Sequence, residues 1–430
     1  MKRKYILIVF ILLFSILVSS TSSEIYSKDS SPVSPLLSNA LSPHDPISIL
    51  GDSTFDSYGF PGSGSPTEPY LIENLFIETT GVGIEIKSTT KYFKIQYCTI
   101  VSSDKCIFIN SVATGTVTIA FNILTSVENE GISIMNGCHE STIKNNIIVA
   151  NWTALDLFNC DESLISGNNF SDSRQGLYLE DSDYCLIKDN TISNNGFGML
   201  VAFSTHATIT NNHVINNTLE GIATDSGDDS VIANNYCSHN KFGIFALVAT
   251  NLDITNNTLE YNQDGIRFES CDNADIKLNN IQYNSGSGIC LSWSDSSSIH
   301  YNNISENSYY GLIINATSMF NVIYQNNFFY NFGVSSQGFC SDSSNSWYSE
   351  VLLSGNYWTD LSGDSYVIDG PAECIDLYPL DSIFIAPIPT STPPPTPTTS
   401  ETESNTTTIN SPLFSLISLL VLPILLRKKK

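Results

Sequence analysis

The sequence predicts an all-β fold, a right-handed parallel β-helix solenoid. Three observations support this: a fixed repeat, a period-two alternation of apolar residues, and the lack of a helical pattern in residues 81–340. A glycine or other small residue followed by an apolar residue recurs in steps of 22–25 residues, which indicates a solenoid. We therefore expect about 11 coils of 22–25 residues with terminal caps. The pairs begin at Gly83, Cys106, Gly131, Ala154, Gly176, Gly198, Gly221, Gly243, Gly265, Gly288 and Gly311.

Each repeat carries the pattern of short strands. In Gly131-Ile132-Ser133-Ile134 the two isoleucines fall on one face and the serine on the other, which is typical of a half-buried strand. Asparagines recur in phase with the glycines, and asparagine suits tight corners because it tolerates a left-handed backbone. They stand as pairs at 145–146, 168–169, 211–212, 234–235, 256–257, 279–280, 302–303 and 326–327, with single members at 122 and 190. Two or three strands per repeat without helices predict a parallel β-helix.

The repeats at 81–340 are flanked by two segments that we expect to cap the solenoid. Residues 46–80 are rich in Gly, Pro and Ser, and residues 341–388 contain Trp347 and Trp358, which are large enough to cover a last coil. Caps are needed because open sheet edges pair with other chains.

The termini predict export and attachment to a membrane. Residues 1–23 have a basic start followed by an apolar run, the pattern of a signal peptide. Residues 389–411 form a Thr/Pro/Ser-rich stalk, and residues 412–430 contain an apolar run and then four basic residues. The run is short for a full span, but its basic tail favours a membrane anchor; the alternative is a sorting signal that is cut off. We expect the protein on the outer face of the cell membrane.

The charge balance excludes one class of partner. The formal net charge is −25, and seven of the 18 basic residues lie in the predicted signal and tail. The exported part then has 11 basic and 43 acidic residues, a difference of −32. Such a surface repels nucleic acid. Solubility accounts for the acidity, and cation binding, including calcium, is the alternative.

The ten cysteines suggest packing more than a disulfide framework. Cys138, Cys160 and Cys271 occupy nearly equivalent places in their repeats, where thiols would stack as small buried groups. Cys340 and Cys374, both in the expected C-terminal cap, are the pair that we expect to form a disulfide. No CxxC occurs, so the sequence holds no zinc or redox motif.

The candidate chemistry lies at outward positions after the glycines. Asp156 and Glu180 are candidate catalytic carboxylates, because Asp156, Tyr178 and Glu180 fall on adjacent coils. Asp228, in the only adjacent Asp pair, is a third, although a glycosidase needs two carboxyls at a set separation. Alternate residues of any exposed strand give a similar pattern, and the histidines are too scattered to predict copper ligands. The candidate sugar-binding residues are Phe158, Tyr178, Phe245, Arg267 and Glu269.

The repeat, together with two further motifs, resembles the NosD-type right-handed β-helix proteins, also described as carbohydrate-binding and sugar-hydrolase β-helix domains. The motifs are Gly-Asn-Tyr-Trp-Thr-Asp at 355–360 and Tyr-Pro-Leu at 378–380. The entry at 62–73 resembles the start of large archaeal surface β-helix proteins. The resemblance covers residues 46–388 and implies a partner in copper-site maturation of nitrous oxide reductase. Related folds include pectate lyases, polygalacturonases and alginate epimerases, but the Arg-Ile-Lys and Asp-Pro-His motifs of such enzymes are missing here.

These observations predict a cell-surface protein that binds or organises surface polysaccharide or partner proteins without catalysis. The first alternative is a lyase, hydrolase or epimerase acting on acidic glycans. The second is a copper-handling accessory protein, which rests on the family name alone.

Overall fold

The computed structural model describes residues 41–315 and 317–385, and these residues form a parallel β-solenoid. Each coil gives one strand to each of three parallel sheets, here named A, B and C, with 14, 13 and 12 strands. The predicted all-β solenoid is therefore confirmed. The predicted signal peptide, stalk and anchor, and residues 386–388, lie outside the described residues.

Sheet A consists of β1 (Ser42–Pro43), β4 (Leu75–Thr79), β7 (Thr99–Ser102), β10 (Ile123–Ser126), β13 (Ile147–Ala150), β16 (Asn169–Ser171), β19 (Thr191–Ser193), β22 (His213–Ile215), β25 (Tyr236–Ser238), β28 (Thr258–Glu260), β31 (Asn280–Gln282), β34 (Asn303–Ser305), β37 (Asn327–Phe329) and β39 (Tyr357–Trp358).

Sheet B, which contains the predicted repeat glycines or follows them directly, consists of β2 (Ile47–Leu50), β5 (Ile84–Lys87), β8 (Ile107–Asn110), β11 (Ile132–Met135), β14 (Thr153–Phe158), β17 (Gln175–Glu180), β20 (Phe197–Ala202), β23 (Glu220–Asp225), β26 (Phe242–Leu247), β29 (Asp264–Glu269), β32 (Ile289–Ser292), β35 (Leu312–Asn315) and β38 (Gly338–Cys340).

Sheet C consists of β3 (Tyr70–Glu73), β6 (Phe93–Gln96), β9 (Val117–Ala120), β12 (Thr142–Lys144), β15 (Leu164–Ser166), β18 (Leu186–Lys188), β21 (Thr208–Thr210), β24 (Val231–Ala233), β27 (Asp253–Thr255), β30 (Asp275–Lys277), β33 (Ser298–His300) and β36 (Val322–Tyr324). A short helix, α1 (Asp52–Tyr58), follows β2, and an antiparallel pair, β40 (Tyr366–Val367) and β41 (Ile375–Asp376), lies near the C-terminal end.

The solenoid begins earlier than the repeat predicts. Ile47 of β2 pairs with Ile84 of β5, so part of the expected N-terminal cap at 46–80 forms a coil of its own. That coil escapes the 22-residue period because α1 and a Gly/Pro-rich loop lengthen it. Helix α1 packs onto the coil through buried Phe55, whose ring stacks 4.6 Å from that of Tyr70. The total is about 12 turns.

Identical registers stack the inward side chains into apolar columns. Ile244, Ile266 and Ile289 are aligned on successive strands of sheet B and are fully buried. Adjacent strands lie about 4.8 Å apart, so each isoleucine contacts the next along the axis. The free energy of folding therefore accumulates mainly from contacts between neighbouring coils.

A buried asparagine ladder holds the corner between sheets C and A. In each coil the amide of one asparagine donates to Oδ1 of its counterpart in the next coil; for Asn302 and Asn326 the Nδ2–Oδ1 distance is 2.9 Å. The prediction that asparagines form these corners is thus confirmed. The residue before the ladder position has a left-handed backbone, as at Asn211 with φ 55°. The ladder comprises Asn122, Asn146, Asn168, Asn190, Asn212, Asn235, Asn257, Asn279, Asn302, Asn326 and Asn356.

A second buried ladder lies at the corner between sheets A and B, and the sequence did not reveal it. It bonds in the same way, and its last asparagine, Asn331, donates to Oε1 of Gln337 at 3.0 Å. The members are Asn195, Asn217, Asn240, Asn262, Asn284, Asn307 and Asn331.

The C-terminal end is covered by stacked rings. Trp358 stacks 4.2 Å from Phe328 and 4.0 Å from Tyr366, and its indole N–H donates to the carboxylate of Asp376 at 2.9 Å. Cys340 and Cys374 form a disulfide across this region. The other eight cysteines are free and buried, which agrees with packing as small apolar groups.

Within residues 41–315 and 317–385, no helix has both the length and the apolar character needed to cross a membrane.

Candidate functional site

The outward face of sheet B carries charged and aromatic side chains together. Six of its strands, β14 to β29, are six residues long, whereas the neighbouring strands of sheets A and C have three or four. Its inward residues fill the core, so the alternate residues are left for chemistry. Most of the sequence-predicted site residues lie on this face.

The register brings rings beside carboxylates. Asp156 of β14 is aligned with Tyr178 of β17, and Phe158 is aligned with Glu180. Each aligned pair is therefore one strand spacing apart, about 4.8 Å. The four side chains, all half-buried, form a single patch, here called the acidic patch.

Burial controls the electrostatics of the acidic patch. It raises the pKa of Asp156 to about 7, with Glu130 and Glu180 adding to the rise and Lys105 opposing it. Lys105 forms an ion pair with Glu130. Burial and the neighbouring Glu180 also raise the pKa of Tyr178, so its hydroxyl stays protonated. A carboxyl with a pKa near 7 exchanges its proton at neutral pH.

The stability of the protein is expected to fall as pH rises from about 4 to 7 because of Asp156. In the unfolded chain this carboxyl loses its proton near its usual pKa of 3.8, whereas the folded protein keeps the proton up to about pH 7. The folded state therefore binds more protons in this window, and the free energy of unfolding decreases with pH. We expect Asp156→Asn to match the wild type near pH 4 and to exceed it by about 1–3 kcal/mol at pH 8.

Urea unfolding of both proteins at the two pH values measures this difference. Asp364→Asn, at an exposed position, serves as the control and should keep the pH dependence of the wild type. Equal pH dependence in Asp156→Asn and the wild type would contradict the role assigned to burial.

One rim of the acidic patch is formed by a cation–π pair. The guanidinium of Arg174 lies 4.2 Å from the ring centre of the exposed Trp152, two residues before the start of the region aligned with Asp156 and Tyr178. The ring offers further apolar surface beside the patch.

A second group lies further along the same face. Phe245 of β26 is aligned with Arg267 of β29, and Nε of Arg267 donates to Glu269 at 3.1 Å. The guanidinium also lies 3.4 Å from the carboxylate of Asp264 and 5.3 Å from the ring centre of Phe242. Tyr178 and Arg267 are four strands apart, about 19 Å, so the two groups do not share one catalytic centre.

A hollow of about 450 Å³ opens beside Arg267, and we call it the serine pocket. It lies over β29, β32 and β35 and the corner that precedes them. Sequence reasoning missed it because several of its residues precede the repeat glycine, in positions that we expected to be simple corners. Its lining includes Asp264, Arg267, Ser287, Cys290, Ser308 and Tyr309.

Glu220 is another residue that the sequence did not reveal. It begins β23, directly before a repeat glycine, and is aligned with Phe242. Its side chain is on the outward face but only 8% exposed, and Oε2 has no hydrogen-bond partner among the described residues. Burial raises its pKa, which favours the uncharged form of this carboxyl.

Asp228, the third candidate catalytic carboxylate, lies away from this face. It occupies the corner between sheets B and C, where its Oδ1 accepts the backbone N–H of Thr250 at 2.7 Å. The neighbouring Asp229 has a left-handed backbone and lies 3.9 Å from His206. The structure thus separates Asp228 from Asp156 and Glu180 and gives it a turn-stabilising contact.

Two family profiles match the chain. The family described as "Right handed beta helix region" matches residues 82–236 and 134–266, and the family described as "Periplasmic copper-binding protein (NosD)" matches residues 204–363. The chain is a right-handed β-helix protein of the NosD type. No curated protein matches it significantly.

Solved structures share the fold of this NosD-type protein. The A-module of the Azotobacter vinelandii mannuronan C-5 epimerase AlgE6 matches with a TM-score of 0.54 and 12% identity, covering 70% of this chain and 95% of that one. The AlgE4 A-module of the same organism gives 0.47, with 14% identity and coverage of 66% and 87%. The Dettilon tailspike protein gives 0.47, with 16% identity and coverage of 62% and 64%.

The family name raises the question of copper, and the described residues do not fit it. Within 41–315 and 317–385, no three His, Cys, Asp or Glu side chains converge as ligands of a metal ion. His139 and His300 instead lie beside Asp161 and Asp275, at 3.2 Å and 2.8 Å, on different coils. We derive no step through copper, and calcium and copper remain expectations from the sequence.

Proposed function

We propose that the outward face of sheet B of this NosD-type protein binds a polysaccharide without chemically altering it. The observation that carries the proposal is the alignment of rings with charged groups on neighbouring strands, Tyr178 with Asp156 and Phe245 with Arg267. A sugar ring has an apolar face and a polar rim, and such a surface meets both, by ring packing and by hydrogen bonds.

Two further observations support a long ligand. The acidic patch and the serine pocket lie on one continuous sheet, so a polymer running along the solenoid axis would contact both. A protein of the same fold is named a mannuronan epimerase, so the fold is compatible with a polymeric sugar ligand. At 12% identity this likeness transfers no residue role.

The proposed location is outside the cell. The signal-like residues 1–23 and the family described as periplasmic support export. The stalk at 389–411 and the apolar, basic-ended segment at 412–430 support attachment to the outer face of the membrane.

Retention of the full-length protein on immobilised polysaccharides tests the proposal. We expect Tyr178→Ala and Phe245→Ala each to weaken binding by about tenfold, because each removes a large apolar contact. Tyr236→Ala is the matched control: this half-buried tyrosine lies on the outward face of sheet A and its hydroxyl donates to Glu260 at 2.6 Å. Equal retention of all three variants and the wild type would refute a sugar site on sheet B.

One observation favours a second candidate function, a lyase, hydrolase or epimerase that acts on a polysaccharide. The pKa of Asp156, about 7, suits a general acid or base at neutral pH, and Tyr178 lies beside it. If the protein is such an enzyme, incubation with the bound polymer releases new chain ends or inverts sugar centres, and Asp156→Asn abolishes the change while retaining binding. Binding with an unchanged polymer leaves the non-catalytic role.

A further inference from the structure

We infer that the serine pocket binds one uncharged sugar ring of the ligand and discriminates against uronic acids. The inference rests on the proposed function and assigns a ligand class to one part of the proposed surface.

The charges of the serine pocket are already compensated. Arg267 lies 3.1 Å from Glu269 and 3.4 Å from Asp264, so one guanidinium faces two carboxylates. Asp264 is only 6% exposed and accepts the backbone N–H of Ser287 at 2.8 Å, which fixes it in place. A carboxylate ligand would therefore find no unpaired cation in the serine pocket and would be repelled by the excess negative charge.

The remaining polar lining consists mainly of hydroxyl groups. Ser285, Ser287, Ser292 and Ser308 all line the hollow. A hydroxyl both donates and accepts hydrogen bonds, as sugar hydroxyls do, and it carries no charge that would select an ion. Cys290 is protonated because burial raises its pKa, so it adds no negative charge.

One wall of the serine pocket is an aromatic ring. Tyr309 is 47% exposed, and its ring meets that of Tyr310 edge to face at 4.6 Å, an arrangement that supports it from behind. A rigid exposed ring beside hydroxyl groups is suited to pack against the apolar face of a pyranose. The volume, about 450 Å³, lies within the range of small-molecule sites, roughly 300–1,000 Å³.

Calorimetric titration of the full-length protein tests the inference. The probes are hexasaccharides of glucose, mannose and galactose, set against hexasaccharides of galacturonate and mannuronate. We expect at least one neutral hexasaccharide to bind, and each uronate to bind about tenfold more weakly than that one. We expect Tyr309→Ala to weaken neutral binding by about tenfold. Tyr97→Ala is the matched control, since Tyr97 is 48% exposed but lies at the corner between sheets C and A.

The outcomes separate this inference from the proposed function. Uronate binding equal to or tighter than neutral binding, or neutral binding unchanged in Tyr309→Ala, overturns the neutral-sugar assignment. If Tyr178→Ala and Phe245→Ala still weaken retention on polysaccharides in that case, the proposed function stands without the serine pocket. If no polysaccharide is retained and no hexasaccharide binds, both fail together.

Discussion

Replacement of Asn302 by alanine is expected to lower the free energy of unfolding by about 4–6 kcal/mol. Asn302 is fully buried in the corner ladder, where its Nδ2 donates to Ile276 O at 2.8 Å and to Asn326 Oδ1 at 2.9 Å. Its Oδ1 accepts two bonds from Asn279, at 2.9 and 3.0 Å. Alanine leaves these partners buried without hydrogen bonds, each at a cost of about 1–3 kcal/mol.

The adjacent residue provides the control for this experiment. Asn303 is exposed at the start of β34, so Asn303→Ala should change the free energy of unfolding by less than about 0.5 kcal/mol. Urea denaturation followed by circular dichroism compares the two variants. A loss of similar size in both would mean that the ladder contributes little beyond strand propensity.

Replacement of Gly288 by alanine is expected to cost about 3–5 kcal/mol. A Cβ atom at this position would lie 2.5 Å from the carbonyl oxygen of Gly311 and 2.7 Å from Cγ2 of Ile304. The first of these atoms belongs to the backbone of the next coil, so the clash is relieved only if two coils separate. This close approach explains why small residues recur at this position.

Gly81→Ala tests whether the cost comes from the clash. A Cβ at Gly81 has no atom within 4 Å, and its backbone is not left-handed. Alanine there should be neutral or slightly stabilising, because it restricts the unfolded chain. Urea unfolding midpoints of the two variants give the comparison, and a Gly288→Ala protein as stable as Gly81→Ala would rule out the clash.

The fold was predictable because close packing leaves a strict periodic trace in the sequence. The glycines of sheet B and the asparagines of the first ladder recur in every coil, since each contacts its own counterpart one strand away. The second ladder left no such trace, because its distance to the glycine varies: three residues from Asn195 to Gly198 but four from Asn284 to Gly288. The first coil was hidden by the insertion of α1.

The candidate site was predictable only in part. Alternation placed Asp156 and Tyr178 on one outward face, and their register follows from the repeat. The pKa of Asp156 depends on burial and on Glu130 and Lys105, which lie before the repeat small residues and were not considered. The serine pocket likewise depends on how far corner residues such as Tyr309 project, which periodicity does not specify.

The two asparagine ladders give the solenoid an electrical direction. Every side-chain amide donates toward the C-terminal end, so the amide dipoles add along the axis with their positive ends pointing there, much as peptide dipoles do in an α-helix. Both series terminate at a carboxylate. The backbone N–H of Asn356 donates to Asp376 at 2.7 Å, and Nε2 of Gln337 donates to Asp360 at 2.6 Å. The C-terminal cap therefore acts as a counter-charge as well as a cover, and the two ends of the solenoid are not interchangeable.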